Sequence, residues 1–150
     1  MRRPLGQATA VDFPVVSNGP AGSVRLAPDV FAEYGKVCEG RDEISTKRKR
    51  HFERYFERFC ATHQHGLGPE KFDKQGDFPD GRGSSVAIFA FKSWQCRIYG
   101  AILHLGNRKC FIGAAIDTSK KQDKANQRIL REAAVAIGRL IEHQQRIDRR

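Results

Sequence analysis

The sequence predicts an α+β fold, in which one helix precedes an antiparallel sheet of three to four strands and a long C-terminal helix packs on that sheet. Two segments, 43–63 and 123–146, carry apolar residues at helical spacing. Between them, residues 86–116 consist of short runs of β-branched and aromatic residues separated by turn signals. We expect the two helices to cover the same face of the sheet.

The chain has 150 residues, which suits one compact domain. We divide it into a partly irregular N-terminal extension, residues 1–35, and a main domain, residues 36–150. Proline and glycine are frequent in residues 1–23, and the hydrophobic pattern there has little periodicity. Three short elements are expected in and after this stretch: an edge strand within 11–16, a strand at 24–27 and a helical turn at 28–34.

The helix predicted at 43–63 has signals at both ends and one apolar face. Asp42 precedes it as an N-cap residue, and Gly66 and the Gly68-Pro69 pair follow it. Four aromatic residues fall at positions i, i+3, i+4 and i+7, which places them on one face of the helix. These are Phe52, Tyr55, Phe56 and Phe59. The opposite side is basic and carries Lys47, Arg48, Lys49, Arg50, Arg54 and Arg58.

A loop is expected at residues 67–85, followed by three strands joined by short turns. The strands lie at 86–92, 96–105 and 109–116, and such close succession predicts an antiparallel meander. The closing helix has an apolar stripe from Ile129 to Ile141. Its expected N-cap is Asp123.

The positive charge is concentrated in one part of the chain. The formal net charge is +10, but residues 1–42 hold five bases and five acids. Residues 86–124 hold seven bases and only two acids. A concentrated positive field attracts polyanions, of which nucleic acid is the commonest. The alternative is a basic, well-solvated surface without a dedicated partner.

Composition also excludes several classes of protein. The longest weakly polar run, residues 86–91, is far shorter than the roughly 20 residues of a membrane-spanning helix. The basic N-terminus has no apolar segment behind it, so we expect no signal peptide and a cytoplasmic protein. The four cysteines are widely spaced and form no C-x-x-C pair, which favours reduced thiols over a zinc site.

No motif in the sequence predicts a cofactor. The phosphate-binding loop G-x-x-x-x-G-K-[ST] is absent, so we expect no nucleotide cofactor. The motifs G-x-S-x-G and H-E-x-x-H and paired carboxylates are absent as well. His63 and His65 form an H-x-H pair, but no acidic partner stands at a convincing spacing, so no metal site is predicted. Each histidine titrates near neutrality and remains a candidate acid or base.

One face of the central strand carries charge beside an aromatic ring. By strand alternation Arg97 and Tyr99 point to one side of the sheet and Ile98 to the other. Lys92, on the preceding strand, could share the face of Arg97 across a tight hairpin, with Trp94 in the turn. Charge plus stacking surface suits an unstacked RNA base. The alternative is the ordinary polar face of a half-covered sheet.

Two further basic groups are candidates for binding RNA. Cations and free backbone N–H groups at a helix start suit phosphate, although an exposed helix start explains the first group equally well. The first group follows the last strand and consists of Lys120, Lys121, Lys124 and Arg128. The second, weaker group lies in the loop before the strands and consists of Lys71, Lys74 and Arg82, with Phe72 between the lysines.

The order of these elements, together with two short motifs, resembles the toxins of the RelE/ParE superfamily, including HigB-like members. The family's sheet often reads R-x-R-x-G-x-Y-R, and the segment from Lys92 to Tyr99 is similar. Lys92 stands in place of the motif's second arginine, and Arg97 matches its last arginine. Trp94 replaces the glycine, and Cys96 replaces the tyrosine. Lys120 to Asn126 resembles the family's K-K-t-x-K-t-p segment. The Lys71/Lys74 stretch resembles the lysine-rich segment before the family's first central strand.

The resemblance covers residues 43–142 and leaves residues 1–35 without a counterpart. It also departs from the family at Thr118-Ser119, where the family has an aromatic residue. It implies the RelE-like toxin fold and a toxin of a type II toxin–antitoxin pair that cuts messenger RNA at the ribosome without a metal ion. The implied catalytic residues are Lys92, Arg97, Tyr99 and Lys121. The implied RNA-binding residues are Lys71, Lys74, Arg82, Lys120, Lys124 and Arg128.

The expected partners are a cognate antitoxin with an acidic segment, messenger RNA and the ribosome. Two other functions remain open. The first is an inhibitor that binds a protein, such as the gyrase-directed branch of the superfamily. The second is a non-catalytic nucleic-acid-binding module, which the charge alone supports.

Overall fold

The computed structural model describes residues 12–118 and 126–148. These residues form an α+β fold of six strands and three helices. In chain order the elements are β1 (Val15–Asn18), β2 (Gly22–Leu26), α1 (Pro28–Cys38), α2 (Glu43–Ala61), β3 (Phe72–Pro79), β4 (Ser85–Ser93), β5 (Cys96–Leu105), β6 (Arg108–Asp117) and α3 (Gln127–Asp148).

All six strands belong to one mixed sheet with the order β1-β2-β6-β5-β4-β3. The meander β4-β5-β6 is antiparallel, as predicted, with the turn at Gly106 and Asn107. β2 pairs with β6 in parallel, so the sheet is not purely antiparallel. With six strands, it is also larger than the predicted sheet of three to four. The parallel pairing is possible because α1, α2 and three strands lie between β2 and β6, which gives the chain the length that a crossover connection needs.

The helices lie on opposite faces of the sheet, so the expectation that both cover one face is wrong. α1 and α2 pack with Phe91, Ile98 and Phe111 in the larger core cluster. α3 packs with Ala90, Tyr99 and other side chains from the opposite face. We call these sides the α2 face and the α3 face. Strand alternation explains the result, because the central strands carry apolar residues on both sides and each side needs a cover.

The N-terminal segment contributes to this sheet and to its core. β1 and β2 form a hairpin, and Val24 and Leu26 of β2 are fully buried. α1 continues past the expected helical turn to Cys38, and Val30 is buried beneath it. The predicted division between residues 1–35 and 36–150 therefore falls inside α1.

A strand, β3, occupies part of the region predicted as a loop. Its sequence, Phe-Asp-Lys-Gln-Gly-Asp-Phe-Pro, has low strand propensity. The pairing with β4 overrides this low strand propensity. The register of the pairing shifts between Lys74 and Gly76, as in a β-bulge. Phe72 is buried in the α2-face core, as its aromatic character suggested.

The signals that predict α2 act in the structure as expected. The carboxylate of Asp42 accepts a hydrogen bond from the Ser45 N–H at 3.1 Å and one from its hydroxyl at 2.6 Å. Because a side-chain cap satisfies an N–H group that lacks an intrahelical partner, it fixes the helix start. The four predicted aromatic residues are all buried, and Cys60 extends the same face. The helix ends two residues earlier than predicted.

α3 begins at Gln127 rather than at residue 123, and the predicted cap Asp123 lies outside the described residues. The Asn126 side chain caps the helix by accepting hydrogen bonds from the N–H groups of Arg128 and Ile129. Gly138 lets α3 approach the backbone carbonyl of Asp80 closely, since a Cβ there would lie 2.3 Å from that oxygen. No helix in the described part of the chain is long and apolar enough to cross a membrane.

Candidate nucleic-acid interface

Several chain segments meet at one end of the sheet. The β4–β5 turn is here, because Ser93 pairs with Cys96 across it. β6 ends here as well, because Asp117 lies opposite Arg97 near the start of β5. α3 starts nearby, because Leu130 and Ala133 in its first two turns pack with Tyr99 of β5. We call this end of the molecule the turn end.

Lys92 and Arg97 lie directly opposite each other on β4 and β5, which confirms the prediction that they are close across a hairpin. The Lys92 ammonium donates a hydrogen bond to the Pro69 carbonyl at 3.1 Å and lies 3.6 Å from a carboxylate oxygen of Asp73. Arg97 is half-buried between Lys92 and Asp117 on the neighbouring strands. These contacts position both bases on the sheet.

The acids near this pair offset its charge. Asp73 is close to Lys92, and Asp117, which is buried, lies opposite Arg97. Opposite charges across adjacent strands stabilise the sheet, but they reduce the local positive potential. Extra positive charge at the turn end must therefore come from neighbouring residues.

Tyr99 lies on the face predicted for it but is not accessible. It is 0% exposed and packs beneath α3 with Ala90, Leu130 and Ala133. Burial raises the pKa of Tyr99 to about 12, and the nearby positive charge of Arg97 opposes this rise. The expectation that Tyr99 stacks on a base or donates a hydrogen bond to RNA therefore conflicts with its position. The sequence could not show that α3 covers this part of the sheet.

Two other predicted residues lie at the turn end. Lys71 is exposed, and its carbonyl accepts a hydrogen bond from the Lys92 N–H at 2.9 Å. Arg128 is exposed in the first turn of α3 and lies 3.8 Å from Glu132. The structure thus brings Lys71, Lys92, Arg97 and Arg128 to the same end of the molecule.

Lys74 and Arg82 do not join this group. Lys74 is exposed on β3 and forms an ion pair with Asp77 at 3.3 Å. Arg82 follows β3 at the opposite end of β4, roughly 20 Å or more from Lys92 at about 3.3 Å per strand residue. Its guanidinium donates to the Gly138 carbonyl at 3.3 Å and the Gln145 side-chain oxygen at 3.0 Å, which ties the β3–β4 connection to α3.

Lys120, Lys121 and Lys124 lie outside the described residues, so their assignment stays a prediction. The described chain ends at Thr118, directly after Asp117, and continues at Asn126. Both flanks belong to the turn end. The sequence places three lysines and one aspartate between them.

A second basic group at the turn end consists mostly of residues that were not predicted as part of a site, and Lys71 is its one predicted member. Its members are exposed or half-buried residues from the first four turns of α2 and from the residue before β3. We call this group the α2 patch: Lys47, Arg50, His51, Arg54 and Lys71. The run of four bases at residues 47–50 was visible, but only the fold shows that it lies beside the β4–β5 turn and Trp94.

The histidines and cysteines suggest no metal centre in the part of the chain that the structure describes. No group of three histidine, cysteine, aspartate or glutamate side chains could hold a metal there. His65 accepts a hydrogen bond from the Leu67 N–H at 3.0 Å and packs against Phe59 and Phe72. All four cysteines are buried free thiols.

Comparison of the chain with protein-family models, with curated proteins and with solved structures gives no match.

Proposed function

We propose that this protein is a toxin of a type II toxin–antitoxin pair that cleaves messenger RNA at the ribosome without a metal ion. The observation that carries the proposal is the direct pairing of Lys92 and Arg97 on adjacent strands at the turn end, with Lys71 and Arg128 exposed at the same end of the molecule. The motif resemblance to RelE/ParE toxins supports it independently, because two of its segments, at Lys92–Tyr99 and at residues 120–126, contain or adjoin these residues.

The chemistry fits fixed cations. In metal-free RNA cleavage the 2′-hydroxyl oxygen forms a bond to phosphorus, and the bond from phosphorus to the 5′ oxygen breaks. Negative charge increases on the phosphoryl oxygens in the transition state, and preorganised donors stabilise that charge. Arg97 offers a planar fork of N–H groups that matches phosphate, and Lys92 offers a compact charge beside it. Lys121 remains a proposed member of the site, and the acid and base are unassigned.

An antitoxin would have to cover the turn end. The exposed positive charge there suits an acidic segment, which would compete with RNA for the same bases. We therefore propose a cognate antitoxin with an acidic segment as the partner. Its gene would be expected next to the gene for this protein.

The burial of Tyr99 favours a second candidate function, a nucleic-acid-binding module without catalysis. A buried phenol with a raised pKa neither stacks on a base nor transfers a proton to the substrate. Such a module would bind RNA in a salt-dependent way and leave it intact.

Controlled expression in a bacterial host tests the proposal. Induction is expected to arrest growth and translation, and mapping of messenger RNA 5′ ends should show new cleavage sites that disappear when translation initiation is blocked. Coexpression of the neighbouring open reading frame serves as the control and should restore growth. Induction of the DNA-damage response without RNA cleavage would instead indicate a gyrase-directed inhibitor. Normal growth with intact RNA would leave only the binding module.

A further inference from the structure

We propose that the α2 patch, together with Trp94, is a docking surface for single-stranded RNA, with Trp94 as a stacking platform for a base. The inference rests on the proposed RNA-directed function and assigns a binding role to residues outside the Lys92–Arg97 pair. It names the path of the strand beyond that pair, around the β4–β5 turn and onto α2.

Trp94 occupies a position that does not favour it. It is the first residue of the two-residue turn between β4 and β5 and has a φ of 54°, a conformation that favours glycine in such turns. Its ring is 55% exposed, so burial does not compensate for the unfavourable backbone. Exposed tryptophan on a strained turn is typical of a residue that serves binding rather than stability. A large, free aromatic face is what an unstacked base needs.

Lys47 lies near this ring on the α2 side, and Lys71 lies near the ring of Tyr55 on α2. The Lys47 ammonium lies 6.0 Å from the centre of the Trp94 ring. The Lys71 ammonium lies 5.8 Å from the centre of the Tyr55 ring. The Lys47 ammonium also forms an ion pair with Glu43. The Lys71 carbonyl accepts a hydrogen bond from the Lys92 N–H on β4. The backbone of Lys71 is therefore bonded to β4, while its ammonium lies on the α2 side.

The His51 side chain connects the α2 patch to the β4–β5 turn. Its Nδ1 atom lies 3.1 Å from the Ser93 hydroxyl, and its ring stacks on Tyr55 with centroids 6.0 Å apart. Burial lowers the pKa of His51, and positive charges lower it further. Those charges come from the four other members of the α2 patch: Arg54, Arg50, Lys47 and Lys71. The four bases therefore lie near His51, although burial is the largest cause of its lowered pKa.

The pattern favours single-stranded nucleic acid over other anionic partners. A basic groove that also offers an exposed aromatic ring can hold phosphates and stack bases at the same time. An anionic membrane would use the charge but would need an apolar face around Trp94. Of the exposed residues in the first turns of α2, Ile44 is apolar, whereas Lys47 and Arg50 are basic. An acidic protein segment would use the charge without requiring a free ring. Both alternatives become outcomes of the test.

The protein contains one tryptophan, so its intrinsic fluorescence reports on Trp94 alone. We expect a single-stranded uridine oligonucleotide to quench this fluorescence, and heparin, a polyanion without bases, to compete for binding without quenching. The double variant Arg50→Gln/Arg54→Gln should weaken oligonucleotide binding about tenfold or more and reduce the salt slope by about 1.4. The matched control Arg131→Gln/Arg139→Gln removes two exposed bases from α3 and should change neither.

The variant Trp94→Gly separates binding from folding. Because glycine suits the turn, we expect the melting temperature to rise by about 2–4 °C, while affinity for a labelled oligonucleotide falls about tenfold.

Unchanged affinity in Trp94→Gly, an equal loss in the α3 control, or quenching by heparin or by anionic vesicles would overturn the inference. If the wild type is quenched by the oligonucleotide but cleaves no RNA, the docking surface stands and the proposed toxin function fails. If Arg97→Gln abolishes cleavage while the α2 variants bind and cleave normally, the toxin function stands and the docking surface fails.

Discussion

Replacing Lys92 and Arg97 together with glutamine is expected to abolish growth arrest and to lower the rate of RNA cleavage at least about 10³-fold. One preorganised donor to a developing oxyanion contributes about 10²–10³ in rate, and this pair supplies two. Both bases are held on adjacent strands of the sheet, which fixes their backbone positions relative to each other. Neutral glutamine keeps much of the length of both side chains but removes the charge.

The rate is measured as the appearance of cleaved messenger RNA with purified protein and translating ribosomes. Because Asp117 is buried beside Arg97, the double variant must first be shown to fold by circular dichroism and thermal unfolding. Arg97→Lys keeps the charge beside Asp117 and should retain part of the activity. Arg82→Gln, at the opposite end of β4, is the matched control and should cleave normally. Full activity in a folded Lys92→Gln/Arg97→Gln protein would contradict the assignment of the site.

The second large effect concerns the core. Phe91→Ala is expected to lower the free energy of unfolding by about 3–5 kcal/mol, the usual result for a fully buried phenylalanine. Its ring centre lies 4.6 Å from that of Phe72, 4.8 Å from that of Phe111 and 4.9 Å from that of Phe56. These residues come from three strands and from α2, so the cavity would loosen the contact between the sheet and its helical layer. Domains of this size have a total stability of about 5–15 kcal/mol, so the loss is a large fraction.

Urea unfolding followed by circular dichroism measures this change. The matched control is Phe31→Ala, because Phe31 lies on α1 but is 37% exposed, and it should cost less than about 1 kcal/mol. A loss below about 1 kcal/mol for Phe91→Ala, with an unchanged dependence on urea, would show that the aromatic cluster does not hold the α2 layer on the sheet.

The elements with strong local signals could be predicted from the sequence. Asp42 and the aromatic stripe of α2 determine where that helix begins and which face is buried. The turns at Trp94 and Gly106 determine the β4-β5-β6 meander, since two-residue connections leave little choice of partner. The closeness of Lys92 and Arg97 follows from the same short turn, which is why this part of the site could be predicted as well.

The rest depends on contacts between residues far apart in the chain. β2 pairs with β6 across more than 80 residues, and no local pattern specifies such a partner. β3 has a poor strand sequence and forms only because the edge of β4 is available. The burial of Tyr99 depends on α3 crossing the other face, and the α2 patch depends on how α2 is docked beside Trp94.

Photo-cross-linking shows directly whether RNA binds at the turn end. Single-stranded RNA containing 4-thiouridine is irradiated with the full-length protein, and the cross-linked tryptic peptides are identified by mass spectrometry. The account predicts cross-links in the short peptide that trypsin releases between Lys92 and Arg97, which contains Trp94. Cross-links confined to the opposite end of the sheet, around Arg82 or Arg108, would contradict it.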